Sequence, residues 1–212
     1  GTALVTGATS GIGEEFCWQL AAAGHDLVLI ARREDALRAL ADTLANVAGV
    51  RAEVIAADLS TDEGCARVAA RLDVGGPADR DKPDLAPVDL LVNNAGFGTG
   101  KDVADDDPER LEQEVRLNCL AVVGLTARYL PAMRKRGNGT IINISSAAAF
   151  QPMPHMAVYG ATKAFVLSFT EALWRETRRD GIRVLAVCPG STDTPFFQVA
   201  DEGTVVGDLE ER

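Results

Sequence analysis

Short apolar runs alternate along this chain with longer stretches whose apolar residues recur at helical spacing, and that alternation constrains the fold more than any other feature. The runs Ala3 to Thr6, Leu27 to Ala31, Ala52 to Ala57, Leu90 to Asn93, Thr140 to Ile144 and Arg183 to Val187 read as strands. Between them, Gly13 to Ala23, Glu34 to Asn46, Asp62 to Leu72, Pro108 to Arg136 and Val158 to Arg179 each carry an apolar stripe and read as helices. Strands alternating with helices imply a parallel sheet whose crossover helices bury both faces. With 212 residues there is chain for one substantial core, so 1–212 is expected to be one domain. The stretch Asp73 to Pro87 is rich in Gly, Pro and Asp. It reads as a long surface loop, because the strand that follows belongs to the same sheet.

Charge narrows the range of partners. The formal net charge is −10, which opposes nucleic acid as the main partner because a polyanion would be repelled. The cluster Arg134-Lys135-Arg136 reads as a solvated helix end. Cys17, Cys65, Cys119 and Cys188 lack paired spacing, so free thiols in a reducing compartment are expected and metal ligation is not. No apolar run reaches the length of a membrane span and no basic-then-apolar leader is present, so the chain is expected to be cytoplasmic.

A glycine-rich turn, Thr6-Gly7-Ala8-Thr9-Ser10-Gly11-Ile12-Gly13, joins the first strand to the first helix. Glycines there let backbone approach a pyrophosphate held at a helix N-terminus, which points to a dinucleotide site on a doubly wound, Rossmann-type α/β sheet. Gly7, Thr9, Ser10, Gly11, Ile12 and Gly13 are its candidate contacts. The second strand ends Leu29-Ile30-Ala31 and runs into Arg32-Arg33. A carboxylate at that position would bind the ribose hydroxyls of NAD. Ala31 has none, whereas arginine pairs with the 2′-phosphate of NADP, so NADP(H) is the expected cofactor. The competing reading has both arginines solvating a helix start beside Glu34 and Asp35. Asp58 and Leu59, after the third strand, are placed to meet the adenine edge, although Asp58 equally suits a helix N-cap.

Tyr159 and Lys163 stand four residues apart, on one face of a helix. An ammonium beside a phenol favours the ionised phenol. Bringing a phenol from its usual pKa of about 10 to neutrality takes roughly 4 kcal/mol, part of which a desolvated cation supplies, helped by a positively charged nicotinamide ring. The pair alone reads first as an ordinary amphipathic helix, and only the motifs around it reverse that.

Taken in order, these segments resemble the short-chain dehydrogenase/reductase family over almost the whole chain. Beyond the glycine-rich turn, Asn93-Asn94-Ala95-Gly96 matches the family's N-N-A-G run. Asn118, Ser146, Tyr159 and Lys163 match its catalytic tetrad, and Pro189-Gly190-Ser191-Thr192-Asp193-Thr194 matches the P-G-x-x-x-T segment. The resemblance implies that Asn94, Ala95 and Gly96 lie beneath the cofactor and that Pro189, Gly190, Thr192 and Thr194 meet the nicotinamide. It implies that Tyr159 exchanges the proton, that Ser146 donates to the substrate oxygen, and that Lys163 lowers the phenol's pKa while holding the ribose. Asn118 would let a backbone carbonyl hold a relay water. A homo-oligomer, dimer or tetramer, is implied as well. Family members continue past this last segment into a substrate loop, a helix and another strand, so the chain is expected to lack its C-terminal end, leaving six strands and no C-terminal edge strand.

The activity expected is hydride transfer between NADP(H) and a carbonyl or alcohol, with Phe97, Phe150, Met153 and Phe196 joining Ser146 and Tyr159 at an apolar substrate site. The alternative is a dinucleotide-sensing regulator on the same fold, without turnover.

Overall fold

A computed structural model of the chain describes residues 1–72 and 85–191. Six parallel strands form one sheet: β1 (Thr2–Thr6), β2 (Asp26–Ala31), β3 (Ala52–Ala56), β4 (Val88–Asn93), β5 (Gly139–Ile144) and β6 (Ile182–Val187). Their order is β3-β2-β1-β4-β5-β6, with all neighbours parallel. Every residue of β1 is buried, as a central strand covered on both faces requires. Alternate residues serve opposite layers. Leu4, Val28 and Ile30 join Leu91, Leu125 and Tyr129 on one side, while Val5, Leu27 and Leu29 join Cys17, Leu37 and Leu44 on the other. The chain is therefore a doubly wound α/β sheet of the Rossmann type.

The helices are α1 (Gly11–Ala22), α2 (Glu34–Ala48), α3 (Asp62–Ala69), α4 (Pro108–Val115), α5 (Ala121–Arg136) and α6 (Ala157–Thr177). Local signals fix several ends. Thr61 accepts the Gly64 N–H at the start of α3, and Asp107 with Pro108 opens α4. Gly49 and Gly137 adopt left-handed φ values of 69° and 65° beyond α2 and α5, where a side chain would be strained.

One expectation is corrected. The helix read as continuous from Pro108 to Arg136 is broken by a π-turn over Arg116–Leu120, centred on Asn118. The basic cluster ending α5 is exposed at the helix end as expected, and two of its members also find partners: Arg134 pairs with Asp180 at 2.7 Å and Arg136 donates to the Val88 carbonyl at 2.7 Å. Short 3₁₀ turns at Ala70–Leu72 and Ala147–Phe150 end the third helix and follow β5. Most of the loop read from Asp73 to Pro87 lies outside the described residues.

In this order β1 and β4 are the neighbours from which the connections diverge, β2 to one side and β5 to the other. Ligands of open α/β sheets bind in the crevice at the carboxyl ends of such a strand pair. The loops after β1, β4, β5 and β6 all open there.

Candidate active site

The turn after β1 is built as a cradle. Gly7 and Gly11 hold φ values of +67° and +54°. A Cβ on Gly13 would overlap the Gly7 carbonyl and the Asn94 amide, so only glycine lets α1 start this close to the turn. Ser10 occupies the N-cap without capping through its side chain, so no cap competes for the first-turn N–H groups. Asn94 ties the cradle to β4, its amide donating to the Thr6 and Gly7 carbonyls at 3.0 and 3.3 Å. Thr6 Oγ1 accepts from the Asn94 and Ala95 N–H groups, each at 2.9 Å. An open helix start behind close-packed glycines suits a pyrophosphate, so the residues present fit a dinucleotide.

Arg32 and Arg33 are exposed at the end of β2, and neither makes an ion pair among the described residues. Glu34 pairs instead with Arg38, one turn along α2, which removes one of the two carboxylates of the competing reading. Arg32 lines a cavity of about 350 Å³ with Asp58, Gly64 and Arg67. Asp58 is not the N-cap of α3. Its Oδ1 accepts from the Ser60 N–H and hydroxyl at 2.9 and 2.7 Å, a local turn that leaves Thr61 to cap the helix. Leu59 is buried in the core behind it.

The four tetrad positions meet at the carboxyl ends of β4 and β5. Ser146 ends the extended stretch after β5, and its Oγ caps the 3₁₀ turn by accepting the Ala148 N–H at 3.1 Å. The Tyr159 phenol hydrogen-bonds Ser146. Lys163, one turn further along α6, sits 5.6 Å from the centre of the Tyr159 ring and donates to the Ile144 carbonyl at 3.0 Å. Asn118 donates from Nδ2 to the Phe97 carbonyl and to Thr162 Oγ1 at 2.8 and 3.0 Å, and accepts from the Phe97 N–H at 3.1 Å. Its side chain thus locks the loop after β4 to α6. The π-turn around it inserts a residue into the helical ladder and so leaves a carbonyl without its regular donor. Ser145, the neighbour set aside in favour of Ser146, is buried and donates to the Lys163 carbonyl at 2.7 Å.

Electrostatics depart from expectation at one point. Burial, partly offset by the bond with Ser146, raises the Tyr159 pKa, and the Glu114 carboxylate raises it further. Burial also pushes Lys163 down to about 8. The expected depression of the phenol is therefore not produced by Lys163 within the chain. At about 8 Lys163 is still mostly charged at neutral pH, so what opposes the phenolate is the burial of the phenol itself rather than loss of the ammonium.

The other residues named from sequence divide into three groups. Gly96 lies against Asn118 and Lys163, since a Cβ there would come within 2.9 Å of Asn118 Oδ1 and 3.5 Å of Lys163 Nζ. Pro189 accepts the Ala147 N–H at 2.8 Å, which brings the segment carrying Gly190 against the Ser146 turn. Of the substrate candidates, Phe97 is half-buried under Arg110, Met153 packs on Gly160, and Phe150 is 69% exposed rather than lining an enclosed site. Thr192, Thr194 and Phe196 lie outside the described residues. Sequence reasoning missed Glu114 and Thr99, both buried and hydrogen-bonded to each other beside the tetrad. A signal was present: Leu111, Glu114 and Asn118 follow i, i+3, i+7, which puts a carboxylate on a buried stripe.

The family model for short chain dehydrogenases matches residues 1–204. An uncharacterized oxidoreductase of Staphylococcus epidermidis is 33% identical over 201 residues, which cover 95% of this chain and 82% of that protein. Among solved structures, a short-chain dehydrogenase from Sphingobium yanoikuyae in complex with NADPH superposes with a TM-score of 0.87 at 38% identity, covering 99% of this chain and 77% of that one. The bulky-bulky ketone specific alcohol dehydrogenase from Comamonas testosteroni superposes with a TM-score of 0.82 at 36% identity, covering 91% and 73%.

Proposed function

Because the chain belongs to the short-chain dehydrogenase family, whose matched members include oxidoreductases, we propose that it is an NADP(H)-dependent carbonyl reductase or alcohol dehydrogenase, with 1–212 belonging to one dinucleotide-binding and catalytic domain. The observation that carries this reading is the Tyr159 phenol held against Ser146 with Lys163 buried beneath it. When bound, the dinucleotide supplies or accepts the hydride and, oxidised, adds positive charge beside the phenol. In reduction Tyr159 gives its proton to the carbonyl oxygen while Ser146 donates to the same oxygen as charge develops there. In oxidation Tyr159 takes the proton from the alcohol. Lys163 orients the ribose and Asn118 holds the loop and helix in register. Arg32 and Arg33 receive the 2′-phosphate, a reading supported by their lack of ion-pair partners among the described residues and by the relative solved with NADPH.

The substrate is a largely apolar ketone or secondary alcohol, supported by Phe97 and Met153 on the segments that follow β4 and β5 and by the specificity of the Comamonas relative. The protein acts in the cytoplasm, in keeping with four free cysteines. No helix of the described residues is long and apolar enough to cross a membrane. It assembles with copies of itself through α4, the π-turn that follows it and α6, where exposed Val115 and Leu120 line a cavity of about 360 Å³ with Leu111 and Val158. A panel of ketones, aldehydes and alcohols assayed with NADPH and NADP⁺ tests the activity. Turnover confined to charged sugars or nucleotides, or no turnover at all on the panel, would overturn the reading.

A further inference from the structure

Glu114 is wholly buried, yet the chemistry above leaves it unused. Its Oε2 accepts from Thr99 Oγ1 at 2.8 Å, and Thr99 is buried too. Its Oε1 has no partner among the described residues. A buried carboxyl with one oxygen unsatisfied is costly and asks for a reason. The stripe Leu111, Glu114, Asn118 aims it from α4 toward the inner side of the tetrad.

The groups around it define what it does. Asp106, in the loop before α4, adds like charge and itself carries a buried oxygen without a partner among the described residues. Lys163 from α6 is the cation it senses, Tyr159 from α6 feels its charge, and Cys119 from the π-turn feels both Glu114 and Lys163. Glu109 and Glu112, on its own helix, are exposed.

We propose that Glu114 is a positioning residue for the Tyr159 and Lys163 pair: its buried carboxyl, held by Thr99 and free at one oxygen, couples its own protonation to the charge carried by the phenol and the ammonium. This rests on the reading of Tyr159 as the proton-transfer residue. The carboxylate stabilises the Lys163 ammonium and opposes ionisation of Tyr159, whereas the neutral acid does neither. Burial, opposed by the Thr99 hydrogen bond, pushes Glu114 up to about 7, so the change of state falls near neutrality. Deprotonating Glu114 then works against the tyrosinate that alcohol oxidation needs, and the two directions of the reaction separate along the pH axis.

Titrations of the full chain without substrate test this. Between about pH 6 and about pH 9, where ordinary carboxyls stay ionised, the infrared spectrum of the parent should lose one protonated carboxyl band that Glu114→Gln never shows. Thr99→Val should move that loss to higher pH, because it removes the donor that favours the carboxylate. Ultraviolet titration of tyrosinate, read as the difference from Tyr159→Phe, should place Tyr159 ionisation lower in Glu114→Gln by at least about half a pH unit, with Tyr129 unmoved. Glu114→Asp should titrate near the parent. No band in the parent, an unshifted Tyr159 in Glu114→Gln, or an equal shift in Glu114→Asp would each overturn the proposal. A fully active Tyr159→Phe enzyme would instead overturn the assignment of Tyr159, which keeps the two failures distinct.

Discussion

At the scale of residues, the same burial that gathers the site also sets its charges. Tyr159→Phe keeps the ring in its packing and removes the hydroxyl that carries the exchangeable proton. Turnover should drop by at least about 10²-fold while NADPH affinity, measured by fluorescence titration, changes little. Retention of full activity would rule Tyr159 out. Stability carries its own pH signature. Glu114 has a folded pKa of about 7, above its unfolded value, so the native state holds the extra proton between those values. Its contribution is complete in acid and is lost as pH rises toward 7. Lys163 is depressed to about 8, so the unfolded state binds the extra proton above that pH, and stability rises from there toward the ordinary lysine range. Each group accounts for on the order of 3 kcal/mol across its window. Denaturant titrations across pH should therefore lose the first slope in Glu114→Gln and the second in Lys163→Met.

At the scale of elements, the site depends on how closely helices and loops approach the strand ends. Gly13→Ala puts a methyl against the Gly7 carbonyl and the Asn94 amide, neither of which can move without dismantling the cradle. A loss of about 1 to 3 kcal/mol is expected from overpacking. Gly124→Ala is the control, since its Cβ meets only the flexible end of Arg128, and it should be neutral or slightly stabilising. Equal melting temperatures for the two variants would contradict this account of the turn. Beneath the site, Asn93 donates to Asn143 at 2.8 Å and to Thr126 at 3.2 Å, and Asn143 donates to Thr170 at 2.9 Å. This buried chain fixes β4, β5, α5 and α6 in register directly under the tetrad.

At the scale of the whole molecule, binding and assembly should both be measurable as free energy. NADPH at 100 times its dissociation constant adds about 2.7 kcal/mol, and a chain of this size should gain about 5 to 10 °C in melting temperature. Replacing Arg32 and Arg33 with alanine should weaken NADPH more than NADH by about 1.5 to 3 kcal/mol per lost phosphate contact. Equal affinity of the parent for both dinucleotides would exclude the phosphate role. The α4 and α6 face makes a separate prediction. Leu120, 57% exposed, contributes apolar surface that a second copy would cover, so Leu120→Glu should convert the oligomer to monomer in light scattering without a large change in fold. A monomeric parent would refute the assembly.

The strand and helix order and the glycine-rich cradle were legible in the sequence because each rests on local information: a period, a turn residue or a cap; motif spacing singled out Asn118, Ser146, Tyr159 and Lys163, and the fold brings these four together. The tertiary structure decided the rest. The π-turn at Asn118 replaces a helix that periodicity reads as continuous, as the Asn118 amide bonds Phe97 and Thr162, residues distant in sequence. Asp58 looks like a cap until Thr61 is seen to take that role. Above all, protonation states could not be read from residue types. Spacing alone lets Lys163 lower the phenol, but burial weakens the ammonium and brings Glu114 into the same interior. Desolvation depends on everything packed around a group, and that environment exists only once distant segments have met.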